Sequence, residues 1–149
     1  MAATRWKLYN AAKLGIGNGL IDLDSHTFKC SLYTASSNAN TLTNTVLANL
    51  TNEVANGNGY TTGGVTLTGV TWTNSSGTIT FDCADPSWTA SGAGFTARYA
   101  VIYDLSAAGQ ALLCVCALDS VNVTVVAGNE LQIMIDASGV FTLSGANTD

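Results

Sequence analysis

One stretch constrains the fold more than any other: Phe95-Thr96-Ala97-Arg98-Tyr99-Ala100-Val101-Ile102-Tyr103-Asp104. Phe95, Ala97, Tyr99, Val101 and Tyr103 share one face at period two, and Thr96, Arg98, Ala100, Ile102 and Asp104 share the other. Such alternation is the signature of a strand, and aromatic and β-branched side chains suit a pleated, half-buried surface. No proline or glycine interrupts the run, so it reads as a central strand with its odd-numbered face in the core.

The rest of the chain reads as sheet built around it. Leu20 to Leu23 and Thr27 to Tyr33 are strand candidates, with Phe28, Cys30 and Leu32 pointing one way. Val65 to Thr73 switches parity at Gly69, which a β-bulge would explain. Asn74-Ser75-Ser76-Gly77 reads as a four-residue hairpin turn, and the return strand sends Ile79, Phe81 and Cys83 inward. Ala111 to Leu118 is apolar on both faces, as a strand covered on both sides must be. Val121, Val123 and Val125 alternate, as do Leu131, Ile133 and Ile135, and Val140 to Leu143 closes the series. Many short strands at close spacing give an all-β chain, best fitted by a jelly-roll-like β-sandwich.

Two segments break this pattern. Residues 4–14 read as a short helix capped by Thr4 and stopped by Gly15, with Trp6, Tyr9 and Lys13 sharing one side. Residues 34–62 form a long polar excursion, with a short helix expected near residues 43–50 from the spacing of Leu42, Val46, Leu47 and Leu50. Connections of that length are usually functional or disordered. A chain of 149 residues supports one domain with a real core. The expected division is a basic N-terminal arm, residues 1–19, helical or extended, and a β-sandwich over residues 20–149.

Charge bears on partners. Only 10 % of residues are charged, against about a quarter in ordinary globular chains, and charge depletion is a property of interface cores. The net charge of −5 argues against nucleic acid as a partner. Arg5, Lys7 and Lys13 lie in the first 19 residues, where there is no acid; every acid follows from Asp22 onward. An arm of this kind, with Trp6 and Tyr9 between its cations, suits docking on a partner: the aromatics would fill apolar pockets while the cations steer at the rim. No leader pattern and no run long enough to span a bilayer is evident. The expectation is synthesis in a reducing cytoplasm with free thiols and no membrane partner.

Residue types with chemistry are few. Cys114-Val115-Cys116 puts two thiols on one strand face, but zinc sites use wider spacing and the chain has one histidine, His26. The four cysteines read as buried apolar side chains, and no metal or other cofactor is expected. Asp22-Leu23-Asp24 lacks the later ligands of a calcium loop. Asp22, Asp82 and Asp85 could supply paired carboxylates only if folding brought two together. A Ser-His-Asp arrangement would have to use His26, without a nucleophile elbow. No enzymatic activity is expected. Trp6, Trp72 and Trp88 could make a sugar-stacking platform, yet Trp72 and Trp88 fall in core register.

One pattern carries a resemblance. Gly19-Leu20-Ile21-Asp22-Leu23-Asp24 with Thr27-Phe28-Lys29, then Asn52-Glu53-Val54 with Gly59-Tyr60-Thr61-Thr62-Gly63-Gly64-Val65-Thr66-Leu67-Thr68, then Phe81-Asp82, Pro86-Ser87-Trp88 and Thr96 to Tyr103 resemble a group of small tailed-bacteriophage virion proteins. Some of that group are jelly-roll capsid decoration, or cement, proteins. The resemblance covers roughly residues 5–105 and implies a protein on the outside of the phage head, made in the host bacterial cytoplasm. Its partner would be the major capsid protein, which it would bridge and stabilise. Separately, Ala111 to Leu118 has more apolar surface than one core needs, so a homodimer or homotrimer through that strand is expected. The candidate partner-binding residues are Arg5, Trp6, Lys7, Tyr9 and Lys13, with Arg98 as a further arginine anchor. The alternative the resemblance leaves open is a tail or fibre module binding a receptor or carbohydrate.

Overall fold

The computed structural model describes residues 5–145. In chain order the elements are β1 (Lys7–Leu8), α1 (Asn10–Asn18), β2 (Phe28–Tyr33), β3 (Val65–Thr66), β4 (Thr71–Ser75), β5 (Thr78–Asp82), β6 (Ser87–Thr89), β7 (Phe95–Ala97), β8 (Tyr99–Asp104), β9 (Leu112–Ala117), β10 (Val123–Val125), β11 (Glu130–Gln132) and β12 (Phe141–Ser144). It is a small β-rich domain with one short helix and several antiparallel sheets, sandwich-like in its layering. The main sheet runs β1-β9-β8-β2-β3, a second runs β12-β5-β4, and two-stranded ribbons pair β10 with β7 and β11 with β6.

Register explains the layering. One face of the main sheet carries Cys30, Leu32, Ala100, Ile102, Cys114 and Cys116, cross-strand neighbours in β2, β8 and β9. Phe28, on the same face, meets Phe81 of β5 edge-on at 5.2 Å, and Phe81 stacks on Phe141 of β12 at 5.3 Å. Such pairs add about 0.5–1.5 kcal/mol each beyond their burial. The opposite face carries Ser31, Tyr33, Val101 and Val115, all buried. The long excursion lies here: the Tyr9 hydroxyl donates to the Ala39 carbonyl, and Glu53 bridges Tyr33.

The expected central strand is two strands. The chain bends at Arg98 and changes partners, β7 pairing with β10 and β8 with β2 and β9. The odd-numbered face is core as expected except at half-buried Tyr99, but Ala100, Ile102 and Asp104 on the even face are buried too. β8 is the middle strand of its sheet and both its faces are covered. β9 is likewise buried on both faces, with Leu112 and Cys114 covered by the chain itself. The argument for an oligomer from surplus apolar surface on this strand is therefore removed.

Other local expectations need correcting. The helix starts at Asn10 rather than at the start of residues 4–14, because residues 7 and 8 extend to pair with Val115 and Cys114; the expected cap, Thr4, lies outside the described residues. It runs through Gly15 to a left-handed C-cap at Gly19. Leu20 to Leu23 is turn, fixed by Asp22, whose carboxylate accepts from Asp24 N, Ser25 N and the Ser25 hydroxyl. Near residues 43–50 only Leu47–Asn49 forms a 3₁₀ turn. Asparagine side chains replace helix bonds there: Asn49 Oδ1 accepts from Thr45 N and Val46 N, and Asn38 binds Asn49 O and Thr51 N. The parity switch at Gly69 is a change of sheet, β3 lying on β2 and β4 on β5. The β4–β5 hairpin turns on two residues, Ser76 and Gly77, both at positive φ, the geometry whose twist matches the strands.

Candidate functional site

Residues 5–19 are not an arm apart from the sandwich. Trp6 is half-buried, β1 forms an edge of the main sheet, and Tyr9 is fully buried with its hydroxyl 2.5 Å from Ala39 O. Burial pushes the Tyr9 phenol far above its ordinary range, with Tyr33 adding to the effect. Tyr9 therefore anchors the segment to its own body and is not available to a partner. Arg5, Lys7 and Lys13 are exposed and form no ion pair among the described residues. Arg98 is partly buried and used internally: Nη1 donates to Val121 O at 3.0 Å, and the guanidinium lies 5.7 Å from the Tyr99 ring centre.

Beside β1 lies a groove of about 800 Å³. One wall is Arg5, Trp6 and Cys116; the other is the chain from Ile133 to Thr142, which includes the start of β12. Met134 on this wall is 80 % exposed, a large apolar side chain left in water. Asp136 turns the chain, its Oδ1 accepting from Ser138 N at 2.8 Å and the Ser138 hydroxyl at 2.6 Å. Those bonds, then the charge of Arg5, hold its carboxyl below the usual range. Among the described residues β12 pairs with β5 alone, and Phe141 and Thr142 at its start line the groove. Arg5 and Trp6 thus meet at one place, while Lys13 sits on α1.

The opposite flank is closed. Glu53 Oε1 accepts from the Tyr60 hydroxyl and from Gly63 N, both at 2.6 Å, while Tyr60 Oη accepts from Leu32 N at 3.0 Å. The Tyr103 hydroxyl donates to Gly63 O at 2.8 Å. Gly64, at φ +72°, lies where a Cβ would fall on the Cys30 carbonyl. Burial, then the bond to Glu53, raises the Tyr60 phenol far above its ordinary value. Sequence reasoning assigned Glu53 and Tyr60 no role. An acid seven residues before a tyrosine and a Gly-Gly pair, in a polar excursion, was the available signal.

The remaining polar groups are structural in their bonding. Asp104 is fully buried, its Oδ1 accepting from Ser106 N and Ala107 N and its Oδ2 lying 2.6 Å from His26 Nδ1. Asp82 caps Cys83 N and Asp85 accepts from Ile135 N, so the sequence's candidate carboxylates are each engaged with backbone. Cys30, Cys83, Cys114 and Cys116 are free and buried, and burial pushes the Cys83 and Cys116 thiols up to about 12. No group of metal-ligating side chains exists among the described residues. Trp88 is buried and Trp72 packs on Phe141, so the tryptophans do not form a sugar platform. Among the described residues no helix is long and apolar enough to cross a membrane. The chain matches no protein-family model, no curated protein and no solved structure.

Proposed function

We propose that the protein is a bacteriophage capsid decoration protein: a jelly-roll-like sandwich that binds the outside of the head shell and bridges adjacent major capsid proteins. What supports this reading is the closed flank. One of the segments that carry the resemblance, residues 52–68, acts as one unit there. Glu53, Tyr60, Gly63 and Gly64 lock the excursion onto β2 and β8. A motif that performs one structural task is better evidence of shared architecture than scattered matching positions. The role follows from the resemblance and from a body whose polar groups are spent on holding loops. The work left for such a body is contact, through the surface beside β1 where Arg5, Trp6 and Lys7 lie.

The reading is tested by counting copies in purified virions with isotope-labelled standard peptides. A decoration protein is present in hundreds of copies per particle. A few to a few tens of copies would make it a tail component, and none would remove it from the virion.

A further inference from the structure

From the groove beside β1 we infer a binding site for a neutral oligosaccharide, which sets a sugar ring against Trp6 and bridges Arg5 to Asp136 through neighbouring hydroxyls. The inference concerns the free chain and holds or fails whether or not that chain decorates heads.

Three observations carry it. The first is a pair of opposite charges that do not meet. Arg5 stands on one wall of the groove and Asp136 on the other. They form no ion pair among the described residues, yet the guanidinium is close enough to help hold the Asp136 carboxyl below its usual range. Both bonds from Ser138 fall on Asp136 Oδ1, which leaves Oδ2 to accept another donor. A guanidinium donates and cannot accept; a carboxylate accepts and cannot donate. A ligand between the two needs an acceptor and a donor side by side. Hydroxyls on adjacent ring carbons of a sugar supply both. An anionic ligand would meet Asp136 and a cationic one Arg5, and like charges brought together select against the wrong partner. The lining therefore favours a ligand without net charge.

The second is the apolar surface. Trp6, Ile135 and Phe141 are half-buried in the lining and Met134 is exposed on it. A pyranose carries C–H groups on its faces and hydroxyls on its rim. The face suits an indole, which is large and flat, while the rim reaches the polar groups around it. Ser138 and Thr142, both exposed, add two hydroxyls to the lining. The third is size. The groove holds about 800 Å³, within the range of ligand sites and more than one sugar ring fills. An apolar lining with a few polar groups to fix orientation is the usual composition of such a site.

The probes are cellotetraose, maltotetraose and mannotetraose, each titrated into the full chain by isothermal titration calorimetry. Saturable binding of at least one is expected. The fully O-methylated form of that sugar keeps the rings, loses the donors and should bind at least tenfold more weakly. Acidic tetragalacturonate, basic tetraglucosamine and tetra-alanine, a zwitterion without hydroxyls, should also bind at least tenfold more weakly. W6A should weaken binding at least tenfold. R5Q alters an exposed side chain and D136N keeps an acceptor for Ser138; each should weaken binding at least threefold in a chain that melts like the wild type. These two decide the matter if W6A does not fold. No saturable binding of the three neutral sugars overturns the inference. Binding that R5Q and D136N leave unchanged puts the sugar elsewhere and overturns the site. Equal binding of the O-methylated sugar overturns the bridge between Arg5 and Asp136, and equal binding of a charged or zwitterionic probe overturns the selection for a neutral sugar.

Discussion

The two flanks of the main sheet are built on opposite plans. Beyond β3, the chain returns over the edge and locks itself there: Glu53 takes two donors, Tyr60 braces β2, and Gly64 lets backbone meet backbone. Beyond β1 lies a groove with an exposed methionine on its wall and, among the described residues, a β12 that pairs with β5 alone and an Arg5 without an ion pair. One flank has its space filled; the other keeps a groove of about 800 Å³. A fold that closes one side so thoroughly can leave the other open, because stability is already secured where the chain covers itself. Substitutions should therefore divide: those on the closed flank change unfolding, and those on the open flank change binding.

The largest effect is expected at Gly64. G64A places a methyl group against the Cys30 carbonyl at a backbone angle that suits glycine, and both faults act together. Urea denaturation should show a loss of about 4 kcal/mol or more. E53A comes next. It leaves the Tyr60 hydroxyl and Gly63 N–H without their acceptor, at a cost of about 3 kcal/mol by the same measurement.

Alkaline pH should weaken the interior as a whole. Burial raises Tyr103, Cys83 and Cys116 to about 12, from ordinary values of 10.0 for the phenol and 9.0 for the thiols. A raised folded value means the native state keeps its proton after the unfolded chain has lost it. The stabilisation is complete below pH 9 and is lost as pH rises through 12. Melting midpoints should be flat from pH 7 to 9 and fall steadily above that. A midpoint that rises with pH in that window would contradict the burial of these groups. The smallest effect is expected at Lys7, exposed on the open flank: K7A should change stability by less than about 0.5 kcal/mol and slow partner binding only at low salt.

How much of this was legible in the sequence follows from which interactions are local. The strand Phe28–Tyr33 and the hairpin strands around Phe81 and Trp72 were readable because alternation is set by the pleat alone. The break at Arg98 was not, because it depends on which strand each half pairs with. Nor was the buried even face of β8: Asp104 is hydrogen-bonded by His26, which lies 78 residues away in sequence, and by the Ser106 and Ala107 N–H groups of a loop that turns toward it. From the sequence alone Tyr9 reads as an anchor for a partner. An aromatic among cations looks the same whether it docks on another protein or on its own body, and only the fold places Ala39 beneath it. The groove left no local trace, since Arg5 and Met134 are brought together only by the fold.

The most direct test is attachment of W6A to undecorated phage heads, measured by co-sedimentation beside the wild-type chain, with a melting curve on the same sample. Trp6 is half-buried on the groove wall, and a buried aromatic anchor contributes more than about 2 kcal/mol to an interface. The account predicts a folded protein that binds at least tenfold more weakly, with R5E weakened in the same direction. Wild-type attachment by a folded W6A chain, together with wild-type attachment by R5E, would contradict the assignment of the open flank as the surface that binds.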